Sequence, residues 1–225
     1  MDVACGLSYA LAAAMDEIVQ EEPRWLALVA MLAVGLLFTA LPGYLSVGPR
    51  WLLLAVVAVM MATTAVSHRM GHHRADKCLG YVVSGILTVA MVWSLALLIA
   101  AIPKHEIDAR ELLRSATALW VTNMLVFALW YWRLDAGGPH ARERRAAHEE
   151  GAFLFPQMNL SEGAADPDWS PNFIDYLFLA FNTSTALSPA DTQALSRWAK
   201  VLMMIQATIS LAVIALLAAR AVNIL

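Results

Sequence analysis

The sequence predicts an all-α fold, a polytopic bundle of transmembrane helices, and three observations carry that expectation. Of its 225 residues 60% are hydrophobic and only 15% charged, whereas soluble domains carry about a quarter charged residues and less than half apolar ones. Mean hydropathy is +0.62. The apolar residues also gather into long runs bounded by Pro, Gly and Trp, as membrane spans do. A formal charge of −3 gives no basic field, so nucleic acid is not an expected partner. Cys5 and Cys78 match no ligand spacing, and neither a disulfide framework nor a cofactor is expected. The N-terminal stretch lacks a basic region and ends in Asp16, Glu17, Glu21 and Glu22, which argues against a secretory signal.

Residues 1–23 hold Leu7, Leu11, Met15 and Ile18 at near-helical spacing. They predict an amphipathic helix lying at the interface and stopped by Pro23, with a frayed arm as the alternative. A four-helix transmembrane region is expected over 24–132. Its first span runs from Trp25 to Leu41 and closes at Pro42-Gly43; its second, Trp51 to Val66, follows Gly48-Pro49-Arg50, so the two form a hairpin. The third covers Leu79 to Ile102 before Pro103, and the fourth Leu112 to Trp132. A fifth long span is expected from Trp198 to Val222. A hydrocarbon core near 30 Å needs about 20 helical residues, so the first two spans are short. Trp25, Trp51 and Trp198 stand at span starts, and Trp130, Tyr131 and Trp132 close the fourth, all expected at headgroup depth.

Residues 133–172 read as a polar linker that opens with Gly137-Gly138-Pro139 and continues through Arg142-Glu143-Arg144-Arg145. Only Phe153-Leu154-Phe155 breaks its polarity. The last module, 173–225, begins with an apolar stretch from Phe173 to Leu187, about 15 residues, short for a span. Ile174, Leu177, Phe178 and Phe181 make one apolar face. Asn182, Thr183, Ser184 and Thr185 then turn it polar, and lipid offers such groups no partner. Two readings remain open: a pore loop that dips into the membrane, or a short sixth span whose hydroxyls bond across helices. Ser188-Pro189-Ala190-Asp191 has a cap residue, Pro at the first helical position and an acid in the first turn, so the last helix is expected to begin near Ser188.

The candidate pore-lining residues are Asn182, Thr183, Ser184, Thr185, Ser188 and Asp191, with Asp175 and Asp191 at the ends of the constriction. Asn123 and Gln206 are secondary candidates, because amides inside spans more often bridge helices than line a conduit. His68, His72 and His73 are weak metal candidates, since Arg69 and Arg74 disfavour a divalent cation and suit a basic loop on anionic headgroups. No Ser-His-Asp order with elbow glycines, phosphate-binding loop or paired carboxylates occurs, so enzyme activity is not expected. No Asp or Glu lies mid-span, which argues against a proton-coupled pump. Arg69, Arg74 and Lys77 precede the third span, and Arg133, Arg142, Arg144 and Arg145 follow the fourth, against Arg50 and Lys104, Arg110 and Arg114 in the opposite connections. The positive-inside rule makes both connections and the N-terminus cytoplasmic, and it fits a short segment that crosses fully, giving six spans.

The order of outer helix, linker, half-helix ending in Thr, Asp turn and inner helix resembles the pore domain of two-helix potassium channels. Their filter Thr-Thr-Val-Gly-Tyr-Gly-Asp aligns with Thr185-Ala186-Leu187-Ser188-Pro189-Ala190-Asp191, in which Ser188 and Ala190 replace both glycines. Glycine is what lets filter carbonyls alternate in conformation, so the resemblance does not extend to a standard potassium filter. Phe127-Ala128-Leu129-Trp130-Tyr131, Phe155-Pro156, Asp175-Tyr176-Leu177 with Phe181, and Ser188 with Asp191 resemble bacterial membrane proteins of the uncharacterised DUF1345 type. Together the resemblances imply a bacterial inner-membrane protein that forms a homo-oligomeric pore, tetrameric for preference, conducting monovalent ions and bathed in membrane lipid. The alternative is a non-conducting scaffold or sensor whose linker binds a partner.

Overall fold

The computed structural model describes residues 24–46, 48–69, 73–101, 108–142, 151–160, 169–185 and 191–222, and leaves out the side chains of 64–69, 73–76, 109 and 220–222. The interfacial helix expected over 1–23 lies outside the described residues. Helix α1 spans Trp25–Thr39, α2 Leu52–Arg69, α3 His73–Ala101 and α4 Ala109–Leu134. A helical turn, Pro139–Arg142, and strand β1, Phe153–Leu154, follow. Then come α5, Phe173–Thr185, strand β2, Gln193–Ala194, and α6, Arg197–Val222. The fold is all-α apart from this one two-stranded ladder, and α4 is its central post, packed against α1, α3, α5 and α6.

Local chemistry explains why α4 is so well defined. Asp108 caps it by accepting from the Arg110 N–H, Glu111 sits in the first turn, and Arg133 sits in the last, all in keeping with the helix dipole. It ends where Ala136, Gly137 and Gly138 take φ of 49°, 81° and 90° in succession, a left-handed run that throws the chain sideways.

Three helices among the described residues are long and apolar enough to cross a membrane, within Lys77–Ala101, Arg110–Arg142 and Arg197–Ala219. Of the five long spans expected, these three meet that length and hydropathy among the described residues. α1 has 15 residues and rises about 22 Å, because the chain leaves the helix before Pro42-Gly43; Leu52–Thr63 is likewise a shorter apolar stretch. The hairpin itself is present, with α1 packed on α2. The tryptophan markers hold for the starts of α1, α2 and α6. At the end of α4 they do not: Tyr131 and Trp132 are buried in the core instead of facing headgroups.

One end of the bundle holds the linker with Arg24, Lys77, Arg133 and Arg142, and is called the linker end below; Arg50, Arg110 and Arg114 lie at the other. Lys77 Nζ donates to the Gly137 carbonyl at 3.1 Å. The Arg24 guanidinium lies 3.0 and 2.9 Å from the two ring nitrogens of His140. Arg133 and Arg142 stand at the same end, beside the turn that ends α4. At the opposite end Ser94 Oγ donates to the Leu45 carbonyl at 2.7 Å.

The short segment does not run the length of the bundle. Helix α5 leaves the linker end, where Phe173 packs edge-on against Trp132 at 6.0 Å and the Tyr176 hydroxyl donates to Asp135 at 2.6 Å. It descends beside α6 until Ser184 meets Ser210. Strand β2 is then back at the linker end, antiparallel to β1 with Phe153 opposite Ala194 and Leu154 opposite Gln193. α6 starts there too, with Trp198 against Phe153 at 5.9 Å. Helices α5 and α6 therefore set out from the same end, an arrangement different from the full crossing expected from the charge bias. With 13 residues, α5 rises only about 20 Å.

The expected start of the last helix is corrected as well. α6 begins at Arg197, capped by Ser196 Oγ, which accepts from the Ala199 N–H at 3.2 Å. The Leu195 N–H donates to the Ala152 carbonyl at 2.7 Å and keeps the preceding residues extended, so strand pairing overrides the local start signal. Nor is the linker wholly a polar connection: Ala152, Phe153 and Phe155 are buried against the bundle.

Candidate functional site

The site is the polar layer where the half-helix α5 lies between α4 and α6. Gln206, fully buried on α6, is its hub. Its Nε2 donates to the Ala180 carbonyl at 2.7 Å and to Ser184 Oγ at 2.8 Å, while its Oε1 accepts from the Tyr131 hydroxyl. One turn further along α6, Ser210 Oγ donates to the Ser184 carbonyl at 2.6 Å and accepts from Trp120 Nε1 at 2.9 Å. Asn123 Nδ2 of α4 donates to the Gln206 carbonyl at 3.2 Å. Its Oδ1, buried at the same helix contact, has no hydrogen-bond partner among the described residues. A membrane supplies no water to such groups, so each bond replaces a costly unmet one and fixes the depth at which α5 stops.

The helical pattern of α5 explains which residues enter this layer. Phe173, Tyr176, Leu179, Ala180 and Ser184 are buried. The apolar face noted in the sequence points the other way, with Ile174, Phe178 and Phe181 being 49%, 56% and 45% exposed. A soluble helix would bury that face, but here the outward side meets lipid or protein, and the inward side ends in the polar Ser184.

The pore-lining candidates are therefore divided. Ser184 is buried and committed to Gln206 and Ser210. Asn182 and Thr183 are half-buried and Thr185 is exposed. The Thr183 and Thr185 hydroxyls bond back to the Leu179 and Phe181 carbonyls at 2.8 and 2.9 Å. Asp191 is exposed at the linker end, and Ser188 lies outside the described residues. Asp175 sits in the first turn of α5, where its Oδ2 accepts from the Asn172 N–H at 2.8 Å and Asn172 Oδ1 accepts from the Ile174 N–H at 2.8 Å. This is a capping arrangement. Asn123 and Gln206 are brought together with Ser184 at one helix contact. Of the metal candidates, His72 and the side chains of His68 and His73 lie outside the described residues.

A second polar cluster closes the site at the linker end. The buried Asp135 carboxylate accepts from the Tyr176 hydroxyl and from the Ala152 N–H. Arg142, also buried, donates to the Trp132 and Asp135 carbonyls at 2.8 and 3.0 Å and stacks over the Tyr176 ring at 5.1 Å. Sequence reasoning passed over Tyr131, Asp135 and Tyr176 as site residues. Tyr131 was placed with the interfacial aromatics, and Asp135 follows the last residue of α4, where a carboxylate is unremarkable. No family model, curated protein or solved structure matches this chain. The arrangement offers positioning and electrostatics: α5 ends at mid-bundle depth with the carbonyls of its last turn pointing onward, the partly negative end of a helix.

Proposed function

We propose that this chain is the protomer of a homo-oligomeric, channel-like ion pore, a tetramer for preference, with α5 and α6 bordering the permeation path. The carrying observation is that α5 and α6 set out from the same end while α5 stops at mid-depth beside Ser210. A half-helix ending inside a membrane is tolerated where it lies in protein or borders water. Long helix, half-helix and long helix in this order support the resemblance to two-helix potassium channels, at the level of fold analogy. The carbonyl end of α5 favours a cation over an anion. Thr185, Asn182, Thr183 and Ser188 are the proposed lining, Asp191 stands at the mouth, and Ser184 with Gln206 acts as the brace behind it. The cations at the linker end support a cytoplasmic placement in a bacterial inner membrane, so the loop is entered from the side opposite to that of a potassium channel.

The test is ion flux in liposomes loaded with the purified protein, wild type against the double substitution Thr183→Val and Thr185→Val. The pore reading expects potassium or sodium flux above that of empty liposomes, and a change in it on substitution. A second reading, a non-conducting scaffold or sensor, has its own support in Asn123, Ser184, Gln206 and Ser210, whose polar groups bridge helices as packing residues do. Flux equal to that of empty liposomes would select it.

A further inference from the structure

We propose that the linker segment Gly151–Leu160 is a strap that regulates the pore by holding the start of α5 and the β2–α6 junction at once; this rests on the pore reading. The strap grips α5 through rings: Phe153 and Phe155 lie 6.4 and 5.4 Å from Tyr176. It grips the other limb through backbone, where β1 pairs with β2 and the Leu195 N–H donates to the Ala152 carbonyl at 2.7 Å. Phe153 meanwhile contacts Trp198 at the start of α6 and Tyr131 of α4, at 5.9 and 5.2 Å. One buried ring thus touches the outer helix, the half-helix and the inner helix.

The lever is short. Strand β2 starts two residues after Asp191, and Asp191 is six residues from Thr185, the last residue of α5. Strand β2 is therefore close along the chain both to the end of α5 and to the start of α6 at Arg197. The ladder is only two residues long on each side, and short ladders with few backbone bonds open at low cost. The strap's upstream anchor is firm by contrast, because the Asp135 carboxylate holds the Ala152 N–H and the Tyr176 hydroxyl together. A firm anchor joined to a weak ladder makes a hinge, with the ladder as the part that opens. Paired, it holds β2 and the start of α6 against α5, the setting in which the pore conducts least.

The experiment is a reversible cross-link through the paired positions, Leu154→Cys with Gln193→Cys, in full-length protein carrying Cys5→Ala and Cys78→Ala. Opposed residues in an antiparallel ladder stand about 5.5 Å apart, within the reach of a disulfide. In liposomes, oxidation is expected to lower cation flux at least fivefold and reductant to restore it. A cross-link confirmed by intact mass with flux unchanged overturns the strap. Absence of flux from both the reduced variant and the wild type overturns the pore reading, and the strap with it. Should the double-cysteine protein not fold, Phe153→Leu, which loosens the grip without burying a polar group, is expected to raise basal flux. Unchanged flux in folded Phe153→Leu would overturn the strap equally.

Discussion

Gln206 of α6 holds Ala180 of α5 by its backbone, donating a side-chain N–H to the Ala180 carbonyl at 2.7 Å. The same amide reaches Ser184 and accepts from Tyr131, so one residue fixes both the depth and the rotation of the half-helix. Replacing it with leucine strands the Tyr131 hydroxyl and Ser184 Oγ in a dry contact. Gln206→Leu is expected to cost about 2–3 kcal/mol of stability, measured by unfolding in mixed detergent micelles. A loss below about 0.5 kcal/mol, less than one such bond, would mean that the layer does not hold α5.

Thr183→Val and Thr185→Val should behave in the opposite way. Both hydroxyls donate to carbonyls of their own helix, an arrangement that adds little to helix stability. Stability is expected to stay within about 0.5 kcal/mol of wild type, while conductance changes. A large loss of stability at unchanged flux would place these residues among the packing groups.

Three glycines make graded predictions. A Cβ on Gly80 would stand 1.8 Å from Arg133 Nη1, so Gly80→Ala must push that guanidinium out of its slot on α3. Gly138 has φ +90° and a Cβ there would lie 2.9 Å from the Arg133 carbonyl. Gly138→Ala is expected to cost about 1–3 kcal/mol. Nothing lies within 4 Å of a Cβ on Gly85, so Gly85→Ala should stabilise α3 by up to about 1 kcal/mol. Thermal unfolding of the three variants should rank Gly85→Ala above wild type, and Gly80→Ala and Gly138→Ala below it.

Asp135→Asn tests the upstream anchor. An amide keeps one acceptor oxygen where the carboxylate serves both the Ala152 N–H and the Tyr176 hydroxyl. The expected cost is about 1–3 kcal/mol, with a change in near-ultraviolet circular dichroism as the Tyr176 environment loosens. An unchanged spectrum and stability would show that the aromatic contacts alone secure the strap.

The sequence was most legible where one residue type has a single physical use. Trp25 and Trp51 mark the starts of α1 and α2, and Phe153-Leu154-Phe155, the one apolar interruption of the linker, is where β1 and its buried rings lie. It misled where two uses compete. Ser188-Pro189-Ala190-Asp191 has the chemistry of a helix start, yet the backbone bond from Leu195 to Ala152 delays α6 to Arg197. Charge bias suggested that the short segment crosses, but crossing depends on where the chain returns, and that is set by the long-range pairing of Phe153 with Ala194. Tyr131 read as a headgroup anchor because its neighbours Trp130 and Trp132 are aromatic, whereas its position on the inner face of α4 turns it toward Gln206. The amides Asn123 and Gln206 stood out as groups needing partners, and the partners lie on α4, α5 and α6 at sequence separations no local pattern reveals.

A half-helix from a single chain borders a shared axis only when symmetric copies surround it. Native mass spectrometry of the detergent-purified protein therefore tests the central claim most directly. The account predicts a homo-oligomer, four chains of 24.5 kDa, that persists as detergent is stripped; a stable monomer would contradict a pore built on a common axis.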